Sequence, residues 1–89
     1  MVKLMTKFSV KDFDAWQKVF NESMEMRAKA GAKGAQAFRG AEDMNTVTVI
    51  IDWDDPEKAK AFSQSADLRE AQQRAGVNSK VEAYLLQSV

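Results

Sequence analysis

The densest pattern in the chain runs from Thr46 to Ile51, where Thr46, Val47, Thr48, Val49, Ile50 and Ile51 follow one another without a break. Branched side chains are stiff about χ1 and fit a pleated surface, so this run predicts a central strand ending near Trp53. Val47, Val49, Ile51 and Trp53 fall on one face of it, and Thr46, Thr48, Ile50 and Asp52 on the other. Both faces are apolar enough to need a cover. A helix start follows at once. Asp54 or Asp55 can accept from free N–H groups, Pro56 suits the first helical position, and Glu57 lies in the favourable field of the helix N-terminus.

Upstream, Val2, Leu4, Thr6, Phe8 and Val10 alternate with Lys3, Met5, Lys7 and Ser9, which predicts a first strand. Asp12 offers an N-cap, and Phe13, Trp16, Val19, Phe20 and Met24 then recur at the spacing of one helical stripe. Gly31 should close this helix, with Lys29 near its negative end. Lys33 and Gly34 read as a turn, Ala35 to Arg39 as a short strand with Gln36 and Phe38 on one face, and Gly40 to Asn45 as a hairpin loop. The second helix, from Pro56 to Gly76, carries Ala59, Phe62, Leu68, Ala71 and Ala75 inward and bends around Ser63 to Ser65. Lys80 to Val89 forms the fourth strand, with Val81, Ala83, Leu85 and Val89 opposite Glu82, Tyr84 and Leu86.

The order is therefore βαββαβ, and the punctuation repeats. Asp12 precedes Phe20 as Asp54 precedes Phe62, and Lys29-Ala30-Gly31-Ala32 matches Arg74-Ala75-Gly76-Val77. Two βαβ halves of this kind imply an α+β, ferredoxin-like split sheet with two helices on one face, in a single domain over residues 1–89. The other face is left bare, so a partner should cover it.

Composition narrows the chemistry. At 89 residues the core is small, and with no Cys there is no disulfide or thiolate ligand to reinforce it, so self-association is the expected help. The absence of His removes the commonest acid–base group and the usual zinc and haem ligand, so neither a cofactor nor a metal is expected. Thirteen basic and thirteen acidic residues balance, which argues against nucleic acid and anionic membranes as partners. Apolar runs are too short to span a bilayer, and Lys3 and Lys7 interrupt any signal-peptide core, so a cytoplasmic location is expected. An RNA-recognition sheet, a C-x-x-C metal chaperone and a Gly-rich phosphate loop all lack their residues.

The stretches VKDFDAWQKVF, RAKAGAKG, DMNTVTVIIDWDDPEKAKAF and LREAQQRAGV, taken together with strand one, resemble the small dimeric α/β-barrel proteins, among them the antibiotic-biosynthesis-monooxygenase-like and cyclase-like members. The resemblance covers nearly the whole chain and implies a sheet-to-sheet homodimer with a ligand pocket between helices and sheet in each subunit. Many relatives carry His just before the glycine at Gly31, where this chain has Ala30.

On that resemblance Trp16, Phe20, Met24, Phe62 and Tyr84 are the candidate pocket residues, although a stripe of this kind also builds ordinary core. Tyr84, the single phenol, could donate to a ligand carbonyl or simply pack at a dimer seam. Arg39 could stabilise an oxyanion from the end of strand two, and Arg27, near the apolar stripe, could reach the pocket mouth or merely snorkel. Trp53 and the acidic run Asp52, Asp54, Asp55 and Glu57 read more cheaply as packing and helix capping than as a substrate or metal site. The implied activity is that of a cofactor-independent monooxygenase or cyclase acting on a hydrophobic, aromatic or enolisable small molecule. The alternative is a non-catalytic dimer with a binding or structural role.

Overall fold

The computed structural model describes residues 2–89. Four strands, β1 (Val2–Ser9), β2 (Ala32–Arg39), β3 (Thr46–Trp53) and β4 (Glu82–Gln87), form one antiparallel sheet in the order β2-β3-β1-β4. The β-branched run thus lies in an interior strand, paired with β2 on one side and β1 on the other. The register sets Val2, Leu4, Thr6 and Phe8 beside Trp53, Ile51, Val49 and Val47, and all eight are buried. This is the face that the helices cover, and the fold is the ferredoxin-like α+β arrangement that the residue pattern implies.

Each helical segment is divided in two. α1 (Phe13–Glu22) and α2 (Met24–Ala30) meet at Ser23, and α3 (Pro56–Ser63) and α4 (Ala66–Arg74) meet at Gln64 and Ser65. At Ser23 the hydroxyl donates to the Val19 carbonyl at 2.8 Å, the same oxygen that takes the Ser23 N–H at 3.0 Å. A serine competing for the backbone acceptor of its own turn bends a helix. The expected bend near Ser63–Ser65 is a full break, because Ser65 caps α4 by accepting the Leu68 N–H at 3.1 Å. Gly31 and Gly76 follow α2 and α4 with φ of +111° and +83°, conformations that favour glycine.

Some boundaries differ from the expectation. Lys33 and Gly34 lie inside β2, at a register irregularity between Ala32 and Gly34, instead of forming a turn. The second N-cap is Asp55, which accepts the Glu57 N–H at 2.9 Å, so the repeat anchored on Asp54 is one residue out of step. Val10 leaves β1 for an isolated bridge to Val77, and the last strand is shorter than Lys80 to Val89.

The helix-free face carries Met5, Ile50, Phe38, Tyr84 and Leu86, with the Lys3–Asp52 ion pair beside them. Phe38, Tyr84 and Leu86 are exposed.

Candidate functional site

Between the helices and the sheet lies a cavity of about 60 Å³. Its floor is Leu4, Thr6 and Phe8 of β1 with Val49 and Ile51 of β3, and its walls come from all four helices. α1 contributes an aromatic ladder. Trp16 is buried, stacks on Phe20 with ring centroids 4.9 Å apart, and meets Phe8 at 5.8 Å. From α3, Phe62 enters against Trp53 with centroids 5.3 Å apart. Trp53 itself is fully buried behind this wall, and its indole N–H has no hydrogen-bond partner among the described residues.

The lining is apolar apart from Thr6, Ser23, Arg27 and Gln72. Arg27 is 7% exposed. Its Nη1 donates to the Phe20 carbonyl at 2.8 Å, and its guanidinium carbon stands 4.0 Å over the Phe20 ring. The ion pairs of the described residues are Lys3–Asp52, Glu25–Lys29, Lys33–Asp54, Glu57–Lys60 and Glu70–Arg74, so Arg27 has no carboxylate. Burial pulls its pKa below the ordinary arginine value. It stays a cation nonetheless, since arginine does not lose its proton in proteins. A guanidinium has five N–H donors, and the single hydrogen bond it makes among the described residues, at Phe20, leaves donors for a ligand oxygen.

The structure brings together Trp16, Phe20, Phe62 and Arg27 from the sequence candidates. The other three lie elsewhere. Met24 is 64% exposed. Each four-residue step overshoots a 3.6-residue turn by about 40°, so the ladder Trp16, Phe20, Met24 drifts off the buried face, which continues through Val19, Ser23, Met26 and Arg27. Tyr84 pairs with Met5 while Leu85 pairs with Leu4, which puts the phenol on the helix-free face, 50% exposed and away from the cavity. Arg39 lies over the Phe13 ring at 3.9 Å and donates from Nε and Nη2 to the Met44 carbonyl at 3.2 and 3.0 Å, so it pins the β2–β3 loop and does not line the cavity. The residues that sequence reasoning passed over are Thr6, on a predicted strand face, and Ser23 and Gln72, which it assigned to no face. Thr6 and Ser23 could have been found by asking why a hydroxyl sits in an otherwise apolar stripe.

Among the described residues no group of three His, Cys, Asp or Glu side chains could hold a metal ion, and no helix is long and apolar enough to cross a membrane. Asp55 of the acidic run is occupied in capping α3.

Residues 1–74 match the family model described as antibiotic biosynthesis monooxygenase, and the chain belongs to that family. Its structural neighbours include a candidate antibiotic biosynthesis monooxygenase of Bordetella bronchiseptica, with a TM-score of 0.83 and 18% identity over 99% of this chain and 96% of that one. SnoaB, a cofactor-independent oxygenase from Streptomyces nogalater, aligns with a TM-score of 0.80 and 17% identity, covering 99% of this chain and 92% of its own. A conserved protein from Methanosarcina mazei gives 0.77 and 14%, with coverage of 99% and 92%. No curated protein sequence matches significantly.

Proposed function

We propose that this chain is a small-molecule oxygenase of the cofactor-independent type. In this reading it takes a hydrophobic, aromatic or enolisable substrate into the cavity and steadies negative charge on one substrate oxygen with Arg27. The observation that carries the reading is a buried cation without a carboxylate at the edge of an apolar cavity. Such a charge costs stability where it stands, and an anionic ligand group recovers that cost. Membership of the monooxygenase family and likeness to SnoaB support the reaction class. Among the cavity's side chains Arg27 is the one ionisable group, so no protein base is at hand, and the substrate must be acidic enough to give its proton to solvent and enter as the anion that the guanidinium favours. The walls then exclude water from an electron-rich enolate or phenolate, and preorganised donors hold its charge.

Assembly belongs to the same proposal. Two copies pair through the helix-free faces, burying Phe38, Tyr84, Leu86, Met5 and Ile50. The exposed apolar side chains there support it, and Leu85 on the opposite side of β4 is also exposed.

Oxygen uptake with an anthrone, compared between the natural protein and Arg27→Met, tests the reaction. Turnover that falls with Arg27→Met supports it, and turnover indifferent to Arg27 overturns it. The sparse polar lining favours one alternative, a binding protein without catalysis. That reading predicts Arg27-dependent binding of the anthrone with no oxygen consumed.

A further inference from the structure

Outside the cavity, between α2 and α3, runs an open groove of about 670 Å³ bordered by Glu22, Lys29, Lys58, Ala61, Ser65 and Asp67. Among the described residues only Met26 and Phe62 line both the groove and the cavity. An apolar protein cavity that accepts a benzene ring measures roughly 150 Å³. The cavity here has about 60 Å³, so a ring enclosed beside Arg27 needs a wall side chain to move.

The two shared side chains differ in their freedom. Phe62 is 4% exposed and lies against Trp53, which is fully buried, so moving its ring would open the main core. Met26 is partly buried, unbranched, and set on the short α2 three residues past the break at Ser23. A methionine with its flexible thioether chain repacks at little cost.

We infer that Met26 is the specificity-determining gate between groove and cavity, fixing which ring systems pass to Arg27, with Phe62 as its rigid post. This rests on the reading of the cavity as a site for an anionic, ring-bearing ligand. Met26 turned toward the groove admits one ring. A smaller residue there joins the cavity to the groove, so that a second fused ring can lie in the groove, whereas an indole closes the way.

The test follows binding of 4-nitrophenolate, with one ring, and 4-nitro-1-naphtholate, with two, to the full chain by stopped-flow absorbance. Met26→Ala should bind the two-ring anion about tenfold or more tighter than the natural protein, the scale on which an apolar pocket distinguishes small changes in size. Met26→Trp should slow both anions, and Met26→Leu should keep the natural preference, with circular dichroism reporting that each variant is folded. Gln72→Ala probes the α1–α4 side of the cavity instead. Arg27-dependent binding whose ring-size preference ignores residue 26, or follows Gln72→Ala, overturns the gate alone. Absence of binding by the natural protein removes the ligand-site reading and the gate with it.

Discussion

The Arg27 guanidinium stands 4.0 Å above the Phe20 ring and donates through Nη1 to the carbonyl oxygen of that same residue at 2.8 Å, so Phe20 holds both the face and one edge of the cation. The ring attracts the charge through its quadrupole, and the carbonyl belongs to the last turn of α1, where the helix dipole is negative. Neither partner neutralises the charge.

Arg27→Met should therefore separate stability from function. Replacing a buried charge by an apolar side chain of similar length is often neutral or stabilising, and the lost hydrogen bond to the Phe20 carbonyl works the other way, so the net change in urea unfolding should lie within about 1 kcal/mol. Affinity for a phenolate should fall by about 1.5–3 kcal/mol, the worth of a hydrogen bond to a charged group. Strong destabilisation with unchanged affinity would make Arg27 a helix cap and nothing more.

Tyr84→Asp addresses the other face of the sheet. The side chain is half exposed in the single chain, so a carboxylate there should barely alter the fold of one copy but should oppose two apolar faces coming together. Sedimentation should give about twice the chain mass for the natural protein and the single-chain mass for the variant. Equal masses for the two would mean the helix-free face is not the contact.

Two glycines of one short segment should respond oppositely to alanine. At Gly31 φ is +111° and a Cβ would come 2.9 Å from Cδ of Lys58, so Gly31→Ala should cost about 1–2 kcal/mol, the penalty of a left-handed conformation. At Gly34 φ is ordinary and a Cβ would approach Asp52 Oδ2 at 3.4 Å, so alanine there should be neutral or raise stability by up to about 1 kcal/mol through the unfolded chain. Denaturant midpoints of the two variants decide it. Equal losses would refute the contrast.

In the β2–β3 loop, Asp43 accepts the Thr46 hydroxyl at 2.8 Å and the Asn45 N–H at 3.1 Å, and these bonds hold its pKa below the ordinary carboxylate value. A lowered pKa in the folded state means that its contribution to stability is complete above the unfolded value, about 3.9, and is lost as pH falls through the lower folded value. The stability gap between the natural protein and Asp43→Ala should narrow over that acid window. An Asp43 carboxyl titration by NMR with its midpoint at or above the unfolded value would contradict this.

The fold was legible where physics is local. The β-branched run, the N-cap at Asp12, the proline at the first position of α3, and the glycines at Gly31 and Gly76 each act over a few residues, and each lies at its element. The candidate site was half legible. Trp16, Phe20, Phe62 and Arg27, named from the apolar stripe together with the family resemblance, line the cavity together. Tyr84 did not follow, because alternation along a strand separates two faces without saying which one the helices cover. That is decided by the pairing of Leu85 with Leu4 across β4 and β1. Met24 failed for a quantitative reason, since two four-residue steps carry it about 80° around the helix from Trp16, whereas Ser23 and Arg27, seven and eleven residues on, return to within about 20° of it.

The bond from Arg27 to the Phe20 carbonyl has a consequence for substitution at residue 20. Because Arg27 is tethered to a main-chain oxygen, no substitution at residue 20 can delete its anchor. Exchanging Phe20 would reshape the wall and remove the stacked ring while the carbonyl stayed in place to orient the cation. The shape of the cavity wall and the position of its charge thus rest on separable parts of one residue, the Phe20 side chain and the Phe20 main chain, and variation at position 20 can alter the first without moving the second.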